Sequence, residues 1–198
     1  MGKKLNWWAL VASLAATLVL GGLGCDIGKV EQGRVIAFDK AKETVTFIVD
    51  TKHDLVNPDY SGASMTFALP KEPSERGEDP KAGLRIKLDA KSREIVIYDT
   101  ATQSMKKIAY TLIDQKEGVN KDDPLVKGKK LPLVEKDKKA ITIYSGRQKL
   151  LTTFSLPEEY FALPDDTWVA GDEVRVYYKE AGKALRFMNV TTTDIFKK

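Results

Sequence analysis

The chain has 198 residues, with 32 Lys and Arg against 28 Asp and Glu, so its formal net charge is +4. It contains one Cys and one His, which excludes a disulfide framework, a multi-His metal site and a haem held by a Cys-x-x-Cys-His run. A phosphate-binding loop, a dinucleotide fingerprint and a Gly-x-Ser-x-Gly motif are all missing from the sequence. We therefore expect no cofactor, no metal and no enzymatic activity.

The first 24 residues have the pattern of an export signal. A largely apolar, uncharged run follows Lys3 and Lys4 and ends at Cys25. This pattern resembles a bacterial lipoprotein signal peptide, which implies cleavage before Cys25 and attachment of acyl chains to that residue. Gly22 occupies the position where such signals usually have Leu. An uncut membrane helix and ordinary secretion are the alternatives.

These features predict where the protein is located. Residues 1–24 are the signal peptide, and residues 25–29 are the lipidated Cys with its tether. The rest of the chain faces the periplasm, anchored to the membrane through the acylated N-terminus, and Asp26 slightly favours the inner membrane over the outer one. Removing residues 1–24 leaves a net charge near +2, so we expect no nucleic-acid partner.

Alternation of apolar and polar residues dominates the remaining chain and is typical of β-strands with one buried face. The pattern predicts four hairpins, which pair 34–38 with 43–49, 84–88 with 93–98, 131–134 with 140–144, and 174–178 with 183–190. Single strands are predicted near 65–69, 106–113 and 149–154, with a helical turn at 156–161. The predicted fold class is all-β.

A short repeat suggests a duplicated unit. Thr-Phe-Ala-Leu-Pro at 66–70 is echoed by Thr-Phe-Ser-Leu-Pro at 153–157, and hairpins flank both segments in the same order. We predict a first β unit at 30–113, a linker at 114–128 and a second β unit at 129–198. Each unit has the size of a small OB-like or SH3-like barrel. One larger β-sandwich or barrel is the alternative.

Two places are candidate sites. Cys25 is the candidate lipid-attachment site. The second is a candidate binding face, in which alternate residues of one predicted strand share a side and a fourth lies on the pairing strand: Arg175, Tyr177, Lys179 and Arg186. His53 is interpreted as a solvated loop residue and Trp168 as a buried residue that covers a barrel end.

The signal segment and the stretch at 168–178, Trp-Val-Ala-Gly-Asp-Glu-Val-Arg-Val-Tyr-Tyr, resemble a family of small β-rich lipoproteins of sulfate-reducing bacteria. That family has no assigned activity, so the resemblance implies no catalytic residues. We expect a lipid-anchored envelope protein that acts as a non-enzymatic binding or scaffolding subunit, with an envelope protein as its partner. Binding of a small ligand or a cell-wall glycan is the alternative.

Overall fold

The structure is a computed structural model, and it describes residues 27–54 and 58–193. These residues form an all-β protein, as the alternation predicts. The strands are β1 (Lys29–Asp39), β2 (Thr44–Val49), β3 (Ser64–Ala68), β4 (Arg85–Asp89), β5 (Glu94–Asp99), β6 (Ser104–Ala109), β7 (Thr111–Lys116), β8 (Leu133–Glu135), β9 (Ala140–Ser145), β10 (Leu150–Ser155), β11 (Glu173–Glu180) and β12 (Lys183–Asn189). Short 3₁₀ turns lie at Pro73–Glu75, Lys136–Lys138, Glu158–Ala162 and Asp165–Trp168.

Five strands close into a barrel in the order β1-β11-β12-β3-β2. All neighbours are antiparallel except β12 and β3, which run parallel where Lys183 pairs with Ala68. This strand order is that of an OB-type Greek-key barrel. Apolar residues at alternate positions point inward and fill the barrel, with Val35, Phe47, Phe67, Val174 and Phe187 at its centre.

The segment between β3 and β11 forms a second body, which we call the inserted module (residues 85–169). Its two sheets have the orders β4-β5-β6 and β7-β10-β9-β8. They share one core, in which Ile95 and Ile108 of the first sheet and Ile141 and Phe154 of the second pack together with Trp168. The inserted module therefore has a core of its own, and a smaller apolar cluster, in which Ile48 of the barrel packs with Ile86 and Tyr98, joins it to the barrel.

The prediction of two consecutive related barrels is not confirmed, because the barrel takes strands from both 30–113 and 129–198. The predicted linker at 114–128 begins inside β7, and Val119 and Val126 are buried within it. The two similar segments, 66–70 and 153–157, begin in β3 and β10. Their resemblance reflects a shared local structure, in which a strand with a buried Phe leads into a 3₁₀ turn.

Three hairpin loops share one design in both bodies. An Asp at the end of the first strand accepts hydrogen bonds from backbone N–H groups two and three residues later, and a residue with positive φ follows. The Asp residues are Asp39, Asp89 and Asp99, and the positive-φ residues are Glu43, Arg93 and Gln103. These bonds fix the loops of the predicted hairpins at Asp39 and Asp89, and the loop at Asp99 closes a further hairpin, β5 with β6, that is not among the predicted ones.

The chain leaves the barrel near residue 83 and returns near residue 171, and the two crossings lie against each other. The Gly83 N–H donates to Val35 O at 3.2 Å, and Asp172 N–H donates to Lys81 O at 2.8 Å. A Cβ built on Gly171 would lie 1.8 Å from Val35 O, so only glycine fits there. This close crossing fixes the inserted module against the barrel.

Candidate functional site

Three of the four residues of the candidate binding face line a single groove on the outside of the barrel. The groove has a volume of about 660 Å³, and we call it the outer-face groove; it is lined by Val30, Glu75, Arg175, Tyr177, Leu185, Arg186 and Met188. Lys179 is exposed on the same strand but is not among the lining residues. The structure thus brings Arg175, Tyr177 and Arg186 together and leaves Lys179 at the side.

Strand register explains how the groove forms. Val30 of β1 lies opposite Tyr177 of β11, and Tyr177 lies opposite Arg186 of β12. The next pair along β11 and β12 is Tyr178 with Ala184, so Leu185 is an extra residue in a β-bulge. The bulge turns both Leu185 and Arg186 outward. Strict alternation places only one of them there, which is why sequence reasoning missed Leu185.

The charged groups at the edge of the groove are held in place. Arg186 pairs with Glu75 of the first 3₁₀ turn, with Nη2 and Oε1 3.1 Å apart, and this hydrogen bonding lowers the pKa of Glu75 and raises that of Arg186. Arg175 donates from Nη2 to Oε1 of the buried Gln32 at 2.7 Å. Gln32 is neutral, so this contact orients the Arg175 guanidinium without cancelling its charge.

The floor of the groove is apolar and open to solvent. Val30 is 45% exposed and Leu185 is 40% exposed. The Tyr177 ring lies over the backbone of Gly28, where an added Cβ would come within 2.3 Å of Cε2. The groove therefore combines an apolar floor, one aromatic ring and two oriented guanidinium groups, a composition that suits binding rather than acid–base chemistry.

A second concave site lies at the junction of the barrel and the inserted module, and no local sequence pattern indicates it. Two adjoining hollows, of about 220 and 390 Å³, share three arginines: Arg34, Arg85 and Arg147. These residues come from β1, β4 and the turn after β9. Because they are far apart along the chain, only the tertiary structure brings them together. We call this site the arginine cleft.

The other residues considered from the sequence lie as follows. His53 is in a loop, with Nε2 3.5 Å from Oε2 of Glu31. Trp168 is fully buried in the core of the inserted module. Cys25 lies outside the described residues. Within the described ranges, no group of three or more His, Cys, Asp or Glu side chains is placed to hold a metal ion, and no helix is long and apolar enough to cross a membrane.

Comparison with known proteins identifies a family but not a role. No curated protein and no solved structure matches the chain. A family model does match, over residues 26–198, and its description is a domain of unknown function, DUF4881. That match spans nearly all of the chain that follows the apolar N-terminal run, including both the barrel and the inserted module. The chain therefore belongs to the DUF4881 family.

Proposed function

We propose that the protein is a lipid-anchored component of the cell envelope and acts as a non-enzymatic binding subunit. In this proposal Cys25 carries the acyl chains, and the outer-face groove contacts an envelope protein. The observation that carries the proposal is the groove itself, an open apolar surface on a sheet face with guanidinium groups at its edge. The apolar run that ends at Cys25 supports the anchor.

The chemistry of the groove indicates what the partner presents. Single exposed apolar residues are ordinary, but Val30, Tyr177, Leu185 and Met188 adjoin across three strands. Tyr and Arg are enriched at the centres of protein interfaces. Within the described part of the chain, the Arg175 guanidinium donates to the neutral amide of Gln32, so Arg175 retains its charge. The groove therefore suits a protein segment with an apolar side chain next to a carboxylate.

The anchor also restricts where the partner is found. A fully extended chain from Cys25 to Val30 spans at most about 18 Å. Because Val30 lines the groove, an acylated Cys25 would hold the groove close to the membrane surface. The proposed partner is consequently a membrane-associated envelope protein. On the basis of Asp26, we propose the inner membrane, by a slight preference, as the membrane that carries the anchor.

Site-specific photocrosslinking in intact cells tests the groove. A photoreactive residue replaces Lys179, which is exposed beside the groove, and in a control strain it replaces Lys116, which is exposed on β7 of the inserted module. The expected result is one dominant protein adduct from position 179 that position 116 does not give. The same adducts from both positions would contradict the proposal. An adduct that a peptidoglycan hydrolase removes would assign the groove to a cell-wall glycan instead.

The anchor has its own test. The full chain and its Cys25→Ser variant are expressed at native level, and membranes are separated from the soluble periplasm. We expect the full chain in the membrane fraction, with a mass increase that corresponds to acylation, and the variant in the soluble fraction without it. Equal membrane association of both chains would contradict lipidation at Cys25.

A further inference from the structure

The arginine cleft collects more positive charge than its acidic neighbours balance. Its lining includes Arg34, Arg85 and Arg147, together with Lys52 and Lys87 at one end. The lining carboxylates are Asp172 and Glu173 at the other end. Lys52 and Lys87 are exposed, and Lys87 pairs with Asp89 at 3.4 Å, so the imbalance lies with three arginines against two carboxylates, in a recess where screening by solvent is weaker than at an open surface.

Glu173 lies close to two of the arginines but makes no hydrogen bond to either of them. It is 2% exposed, and Oε2 accepts a hydrogen bond from the Tyr60 hydroxyl at 2.6 Å. The same oxygen lies 3.7 Å from Nη2 of Arg34 and 3.7 Å from Nη2 of Arg147. Both contacts are longer than a hydrogen bond. The Nε of Arg34 is buried without a hydrogen-bond partner.

Arg85 is the most deeply buried cation of the cleft. Its side chain is almost completely buried, with 7% of the residue exposed. Its Nε donates to Trp168 O at 2.9 Å, and no carboxylate in the described part of the chain lies within 4.0 Å of it. Burial, together with the charge of Arg34, lowers the pKa of Arg85 to about 9. A buried guanidinium is costly unless a counter-charge accompanies it.

We propose that the arginine cleft binds a small oxyanion, either a phosphate or a carboxylate compound, between Arg34, Arg85 and Arg147. Guanidinium groups present planar pairs of N–H donors that match both kinds of oxyanion. The two hollows have volumes of about 220 and 390 Å³, which suits a compact anion rather than a polymer. This site is separate from the outer-face groove and does not depend on the role proposed for it.

A purely structural cluster and an anion site respond differently to the loss of Glu173. If the arginines exist only to neutralise Glu173, replacing it by Gln gives the cleft no new ligand. If the cleft binds an anion, Glu173 competes for Arg34 and Arg147, so Glu173→Gln should strengthen binding. Gln keeps the side-chain size and an oxygen that accepts from Tyr60.

The test is calorimetric titration of the full chain in an uncharged detergent, at constant ionic strength, with inorganic phosphate and with citrate as separate probes. We expect saturable binding of at least one probe, which distinguishes the phosphate from the carboxylate class. Arg147→Gln should weaken that binding at least tenfold, since charge-assisted hydrogen bonds to the anion are lost. Glu173→Gln should strengthen it several-fold.

Arg76→Gln is the matched control, because the Arg76 side chain is 19% exposed against 32% for Arg147 and pairs with Glu43 and Asp79 outside the cleft. Its affinity for the probe should equal that of the unmodified chain. Circular dichroism of each variant checks that the fold is retained. Absence of saturation with both probes, or equal losses for Arg147→Gln and Arg76→Gln, would overturn the proposal.

Discussion

The barrel and the inserted module are built from the same local devices but present different surfaces. Both use hairpin loops closed by an Asp side chain, and both bury the Phe of a Thr-Phe-x-Leu-Pro segment. Both bodies contain bulged strands, but the bulge in β12 of the barrel turns Leu185 and Arg186 to the same side and opens the outer-face groove. The comparison shows that the candidate site depends on an irregularity in pairing rather than on the strands themselves.

The largest expected change in the free energy of unfolding comes from core substitutions, and these also test whether the barrel and the inserted module unfold together. Phe67 in the barrel and Phe154 in the inserted module are both 0% exposed. Replacing either by Ala should lower the free energy of unfolding by about 3–5 kcal/mol, because a large core side chain is lost and a cavity remains. The crossing at residues 83 and 171 should keep denaturant unfolding in one transition for both variants. Two separate transitions, each shifted by only one variant, would show that the bodies are independent.

Gly171→Ala addresses the crossing directly. The added Cβ would lie 1.8 Å from Val35 O, so the segment before β11 must move away from β1. We expect the free energy of unfolding to fall by about 2–3 kcal/mol. Gly146→Ala is the matched control, since the nearest atom to its Cβ is a Tyr144 ring carbon at 3.6 Å. Thermal unfolding should show a lowered Tm for Gly171→Ala and little change for Gly146→Ala. Similar Tm values would contradict the tight crossing.

Tyr60→Phe should lower the free energy of unfolding by a smaller amount, about 1–2 kcal/mol, because the buried Glu173 loses the hydroxyl that donates to it. Burial raises the pKa of Tyr60 to about 12, whereas an unfolded Tyr ionises near 10. The folded state therefore keeps a proton that the unfolded state loses. The stability from Tyr60 is complete below pH 10 and declines as the pH rises towards 12. Denaturant unfolding between pH 8 and 11.5 should show that the difference in free energy of unfolding between the unmodified chain and Tyr60→Phe shrinks as the pH rises. A constant difference would contradict the raised pKa of Tyr60.

The smallest effect concerns the shared hairpin loops at low pH. Hydrogen bonds from backbone N–H groups hold the pKa values of Asp39, Asp89 and Asp99 below the ordinary Asp value. Because these pKa values are lowered in the folded state, their contribution is present above about pH 4 and is lost as the pH falls through them. Carboxyl chemical shifts followed by NMR should titrate below the ordinary range in both bodies. Ordinary Asp pKa values in one of the two bodies would show that its loops lack these hydrogen bonds in solution.

The predicted hairpins are found because each depends on contacts between neighbours in the chain. Barrel closure depends on pairings such as Lys29 with Tyr178, which no local pattern contains. The single strand predicted at 106–113 is divided at Tyr110 into β6 and β7, which belong to different sheets. Alternation persists through the bend, so the pattern alone does not reveal the break.

The candidate sites show the same limit. Arg175 and Tyr177 occupy alternate positions of one strand, so their common side follows from the period of a strand. Val30 and Glu75 reach the groove from distant parts of the chain. The arginine cleft combines residues from both bodies and has no sequence signature. Local periodicity therefore predicts one strand's contribution to a site, and tertiary pairing supplies the rest.

The most direct test of the central claim is the yield of the photocrosslinked adduct at position 179 in two matched variants. Leu185→Glu places a charge in the outer-face groove, and Ile113→Glu places one at an exposed apolar residue of the inserted module, 55% exposed against 40% for Leu185. We predict that Leu185→Glu lowers the yield at least tenfold and that Ile113→Glu leaves it unchanged. Equal yields in the two variants would contradict the assignment of the groove as the binding surface.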